Sequence, residues 1–171
     1  MSMGFFERLK RQWRHWMSTG SAGRQAFPAE SLAILGQAIT AGEQRHRGEV
    51  RLIVEHALPS EAIWDDVTIR ERALALFAEY GVWDTEDNCG VLLYVNLAEH
   101  KVEIVVDRAI ARQIDNAAWQ QICQTMTQGF GRGDFQASTL AAIEQANALL
   151  MQHFPANGSR ANELPDQPVM L

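Results

Sequence analysis

Asp84, Glu86, Asp87 and Asn88 crowd four oxygen-bearing side chains into one short stretch, and Asp107 follows after two apolar runs. Oxygen donors of this kind suit hard cations, and Ca²⁺ or Mg²⁺ would be the ions expected of them. The spacing is not that of an EF-hand, because D-x-D-x-D-G with a distant Glu is missing. The five residues therefore predict an incomplete cage completed by water, a weak divalent-metal site. The competing reading is a solvated acidic loop in which Asp87 and Asn88 make turn hydrogen bonds.

Other groupings that do chemistry are missing. There is no G-x-S-x-G elbow, P-loop or G-x-G-x-x-G, and E-Q-R-H at Glu43–His46 lacks the first His of H-E-x-x-H. His15, His46, His56, His100 and His153 are scattered, and His46 alone could join the acidic stretch. Cys89 borders that stretch, where carboxylate neighbours raise a thiol's pKa and leave it inert. With no nucleophile, base and stabiliser to name together, no catalytic residue is assigned and an enzyme is not the expectation. Gly133 and Asp134 of the R-G-D tripeptide read as a joint and a helix cap. The N-G-S at Asn157 matters only in a secreted protein.

The elements that must position these residues can be read from periodicity. Gly90 opens a charge-free run, Val91–Val95, as expected of a strand covered on both faces. After a turn over Leu97–Lys101, Val102, Ile104 and Val106 alternate with Lys101, Glu103 and Val105, the period of a strand nearer an edge. Val50–Ala57 supplies another strand. Helices are expected from Pro28 to about Gly42, after Asp65 or Asp66, after Asp115 or Asn116, and after Asp134. The order is α–β–α–β–β–α–α. Its crossover unit should be parallel and its hairpin antiparallel, giving an α/β fold with a small mixed sheet covered by helices on both faces. That topology gathers His46, Arg47, Glu49, the Asp84–Asn88 stretch, Asp107 and Arg108 at one edge.

At 171 residues and 19.2 kDa, with 47% hydrophobic residues, the chain can bury a substantial core. No apolar run approaches the roughly 20 residues that span a bilayer, and residues 1–25 have no apolar stretch of the signal-peptide kind. Cys89 and Cys123 lie far apart and read as free thiols of a reducing compartment, so a cytoplasmic location is expected. Residues 1–25 carry Arg8, Lys10, Arg11, Arg14 and Arg24 against Glu7 alone, a net +4, which leaves −10 on the remainder of a chain whose total is −6. So acidic a body repels phosphate backbones, and nucleic acid is not an expected partner.

Three units are expected: residues 1–25 as a basic amphipathic segment with linker, 26–154 as the folded domain, and 155–171, rich in Asn, Pro and Gly, as a disordered tail. In the first, Phe5, Phe6, Leu9, Trp13, Trp16 and Met17 fall near helical spacing, with basic residues on much of the other face. Phe5, Phe6, Arg8, Lys10, Arg11, Trp13, Arg14 and Trp16 are the residues expected to meet an anionic membrane surface, at the inner face of a membrane, or a protein partner. The alternative is a helix folded back with its aromatics covering the domain and its arginines on the acidic edge. The flexible composition of Ser18–Gly23 favours the detachable arrangement.

The stretch Thr85–Val95 (TEDNCGVLLYV) followed by Val102–Val106 resembles the signature of the TPM domain, in which a polar D/N–N–G step enters a G-V-L-L strand. Gly48–Val54 (GEVRLIV) is similar to the family's first strand, and Phe130–Phe135 (FGRGDF) to its F-R-x-G-D-aromatic step. The resemblance covers roughly Phe27 to Phe154. Cys89, where the family more often has Asn, and Asp107–Arg108, where many relatives have a glycine-containing step, depart from it. The resemblance implies a TPM-like α/β fold, divalent-metal binding near the acidic loop as in some relatives, and an accessory role. It also implies, as the alternative, a metal-dependent phosphatase-like hydrolase with Asp87 and Asp107 as ligands.

Overall fold

The computed structural model describes residues 4–18, 20–158 and 160–171. The sheet strands are β1 (Glu49–Glu55), β2 (Gly90–Asn96), β3 (Lys101–Val106) and β4 (Val169–Met170), in the order β3-β2-β1-β4. The helices are α1 (Phe5–Met17), α2 (Gly20–Ala26), α3 (Ala29–Glu43), α4 (Ser60–Trp64), α5 (Ile69–Glu79), α6 (Arg108–Gln113), α7 (Asn116–Gly131) and α8 (Phe135–His153). β1 runs parallel to β2, with Val50 opposite Val91 and Leu52 opposite Leu93, and β3 returns antiparallel, with Ile104 opposite Leu93.

The charge-free run sits in the interior of this sheet because both of its faces are covered. Val91, Leu93 and Val95 join Val50, Leu52 and Val54 beneath α3, α7 and α8, where Leu35, Ile39, Ile122, Met126, Ile143 and Leu150 close the first core. Leu92 and Tyr94 point the other way, with Ile53, into a second core under α4 and α5 built from Ile63, Ile69, Ala73 and Leu76. This side also buries charge. The Tyr94 hydroxyl donates to Glu55, which is held in turn by Arg72 at 2.6 Å. Burial and the adjacent Glu55 carboxylate push the Tyr94 phenol well above its ordinary pKa.

The helix starts follow local capping chemistry. Asp115 caps α7 by accepting from the Ala117 N–H at 3.0 Å. Asp134 stands at the start of α8 without a side-chain cap bond. The second helix of the crossover, α5, is capped by Thr68 in a reciprocal box with Glu71, not by Asp65 or Asp66. Asp66 instead ends the α4 turn with a left-handed φ of 56°.

Two expectations of disorder are corrected. The Ser18–Gly23 joint gives way to α2 from Gly20, with Thr19 outside the described residues. Residues 155–171 are not a disordered tail. Val169 pairs with Ile53 as β4, and Leu164 is buried in the second core. The cause is a pair of buried polar side chains on β1. Glu49 accepts from the backbone N–H of Leu164 at 3.1 Å, and Arg51 donates to the carbonyls of Pro165 and, at 3.0 Å, Gln167. Ser159 of the N-G-S lies outside the described residues.

The detachable reading of residues 1–25 is also corrected, and so is the alternative set against it. α1 lies on the domain, but it docks through Arg8, Arg11 and His15. Arg8 bonds the Trp64 carbonyl and Asp66, and Arg11 bonds the Val67 carbonyl and Glu99. The aromatic residues face outward. Residues 1–3 of this segment lie outside the described residues.

Candidate functional site

The acidic edge forms where topology requires. Thr85 starts a tight loop, accepting from the Asn88 N–H through its carbonyl and from the Cys89 N–H through its hydroxyl. Asn88 closes the loop at φ 54°, a left-handed conformation that Asn tolerates. Gly90 follows because a Cβ there would lie 1.8 Å from the Val82 carbonyl oxygen. The Glu49 N–H bonds Cys89 O and the Asp107 N–H bonds Gly90 O, so β1, β2 and β3 all present their ends here.

The edge is not dominated by free carboxylate. Asp87 is bonded by Arg160 from the C-terminal segment and by Arg47 at 3.2 Å. Glu86 projects into solvent and meets Arg160 at 3.2 Å. Asn88 Oδ1 accepts from Arg108. Asp107 is buried at the N-terminus of α6, with Oδ1 accepting from the Arg108 N–H at 2.6 Å and Oδ2 without a hydrogen-bond partner among the described residues. The Asp84 backbone closes a turn onto Gly81. Asp84, Glu86, Asp87, Asn88 and Asp107 thus share an edge without forming a cage. Among the described residues no three His, Cys, Asp or Glu side chains stand close enough together to hold a metal ion. One orphaned carboxylate oxygen is not a ligand set, and as arranged these residues do not fit a bound divalent ion.

Neighbouring groups offer little reactivity. Burial, then Asp87, push the Cys89 thiol up to about 11, so it is protonated at neutral pH. Cys123 is likewise pushed up to about 11 by burial. His46 does not join the edge. It is buried with Nε2 on Asn147 Oδ1 at 3.0 Å, and burial lowers its pKa. A cavity of about 320 Å³ between the end of α3 and the C-terminal segment is lined by Glu43, His46, Glu49, Arg160 and Asp166. Burial raises Glu43 to about 9, so it is neutral there while accepting from the Val50 N–H at 2.7 Å. Neither place pairs a nucleophile with a base.

The TPM domain profile matches residues 23–149 of the chain. The chain belongs to the TPM domain family. No curated protein sequence matches it. The NMR structure of BA42 protein from the psychrophilic bacterium Bizionia argentinensis superposes on this TPM domain with a TM-score of 0.74. The superposition covers 84% of this chain and 94% of that one at 24% identity, and so speaks to the fold.

The match begins at Gly23, so α1 lies wholly outside the region that defines the family. α1 also carries four of the six large aromatic side chains exposed among the described residues. Arg11 Nε lies 2.5 Å from Glu99 Oε1, in the turn between β2 and β3. The same carboxylate oxygen is 3.0 Å from Nε2 of the buried His15, whose Nδ1 accepts from the Leu58 N–H. Since Nδ1 is an acceptor, Nε2 carries the proton and donates to Glu99. The hydrogen bond from His15, then that from Arg11, hold the Glu99 carboxyl down at about 2. With Arg8, Arg11 and His15 committed inward, α1 leaves Phe6 76%, Trp13 62% and Trp16 68% exposed, along with Phe5, Leu9 and Met17. The sequence named these residues as one face. It gave no sign that this face is the outer one.

Proposed function

We propose that this TPM protein is a non-enzymatic accessory module whose working surface is the outer face of α1. One observation carries the reading: an amphipathic helix fixed by Arg8, Arg11 and His15 against the domain with its aromatic side toward solvent. Phe and Trp side chains bury on the order of 150–250 Å² each when covered, so the four aromatics, each more than 60% exposed, together with Leu9 and Met17 reach or exceed the apolar patch usual on a monomer. The inward contacts support a built arrangement. Arg8, Arg11 and His15 converge on Asp66, Glu99 and backbone groups from three separate stretches of chain. The arginine-covered acidic edge and the protonated Cys89 favour a structural role for the sheet end. No helix among the described residues is long and apolar enough to cross a membrane, so association would be peripheral.

The test compares the intact chain with a Phe6→Ser/Trp13→Ser/Trp16→Ser variant in cell extracts. The intact protein should be retained in a particulate or partner-bound fraction, and the variant should run free with unchanged circular dichroism. Equal distribution of the two would remove the reading. Turnover of a generic phosphate ester, lost in Asp87→Asn, would replace it with the hydrolase.

A further inference from the structure

Resting on the reading that the outer face of α1 is the working surface, we infer that what covers this face is the headgroup boundary of an anionic lipid bilayer. The shape argues first. Because α1 docks through Arg8, Arg11 and His15, the aromatic residues form an open apolar surface along the whole helix, from Phe5 and Phe6 to Trp13 and Trp16, with a shallow cleft between Phe6, Leu9, Trp13 and Trp16. Trp64 of α4 continues it beside Phe5 at a ring separation of 6.4 Å. So open and elongated an apolar surface seats in a deformable interface, whose acyl chains fill a shallow cleft without a partner of matching shape, and Trp and Phe on an in-plane helix suit that depth.

Charge argues second. Arg8 and Arg11 are spent on Asp66 and Glu99, so the acidic groups directly beneath the helix are already balanced. Lys10 and Arg14, one turn apart, border the aromatic face; Lys10 pairs with Glu7 at 3.3 Å and Arg14 reaches Glu99 at 4.0 Å, yet both side chains stay more than half exposed, at 74% and 57%, and so remain open to a further anion. A cation pair beside an aromatic surface complements anionic headgroups, while the acidic body of the protein is repelled and held off. Two cations are few, so apolar burial carries most of the attachment and charge selects the lipid. This differs from a detached basic helix, in which Arg8 and Arg11 would also meet the lipid.

The experiment is co-sedimentation of the full chain with vesicles of phosphatidylcholine alone and of equimolar phosphatidylcholine and phosphatidylglycerol. The chain should bind the anionic vesicles, with tryptophan emission moving to the blue. Trp13→Ser/Trp16→Ser should weaken binding by at least about tenfold, as expected for removing two interfacial aromatics. Lys10→Gln/Arg14→Gln should abolish the preference for anionic over neutral vesicles while keeping the blue shift at high lipid. A chain that stays in the supernatant with both vesicle types overturns the bilayer. If that chain self-associates in sedimentation velocity, or is retained by a protein fraction, and Trp13→Ser/Trp16→Ser abolishes this, the bilayer falls while the α1 docking surface stands. If neither occurs, both fall.

Discussion

Arg11 on α1 and Glu99 in the β2–β3 turn, 88 positions apart in sequence, form an ion pair at 2.5 Å with side chains only 11% and 9% exposed. This pair, with His15 on the same carboxylate, fixes which side of α1 meets the domain. Removing the carboxylate charge leaves the Arg11 guanidinium nearly buried without its counter-ion, a costly arrangement.

Glu99→Gln should therefore destabilise the fold by roughly 3 kcal/mol at neutral pH, the value of holding a carboxyl from 4.5 down to about 2. A depressed carboxyl contributes its full stability above its unfolded pKa and loses it as pH falls through the folded one. The gap between wild type and Glu99→Gln in urea denaturation should thus be constant above about pH 4.5 and narrow toward pH 2. A gap independent of pH across that window would contradict the assignment.

A chain ending after residue 156 should lose on the order of 3–5 kcal/mol. It would lack β4 and buried Leu164, and would strip Glu49 and Arg51 of the backbone groups they bond. A urea midpoint unchanged from the full chain would mean that residues 157–171 contribute nothing to the fold.

Arg160→Ala should cost only about 0–1 kcal/mol, since the pair with Asp87 is partly exposed. It would free Asp87 of one of its two guanidinium partners and leave carboxylate available to cations. Millimolar Ca²⁺ should then raise the melting temperature of Arg160→Ala more than that of the wild type, by binding the native state. Identical responses would show that Arg160 does not compete with cations for Asp87.

The parts of this fold that sequence reveals are those written in local pattern. Val91–Val95 carries no charge and is covered on both faces, and the D-N-C-G step places Asn and Gly where a left-handed turn and a close backbone approach require them. The Thr68–Glu71 capping box was equally legible as T-x-x-E, and nearby Asp65 and Asp66 obscured it. The ordered C-terminal segment is hidden because long-range bonds from Glu49 and Arg51 and the pairing of Val169 with Ile53, not periodicity, hold it. The arginines at the acidic edge were hidden for the same reason, Arg160 lying 73 positions from Asp87. For α1, helical spacing identifies which residues share a face. Which face turns inward depends on Asp66 and Glu99, whose meeting with the helix is a tertiary fact.

Hydroxyl-radical footprinting of the dilute full chain, free of lipid and read residue by residue, tests the orientation of α1 most directly. Phe6, Trp13 and Trp16 should be among the most heavily modified residues, and the buried His15 should be protected to the level of core Trp119. Protection of Trp13 and Trp16 in the monomer, with His15 modified, would mean that α1 packs by its aromatic face and would contradict the account.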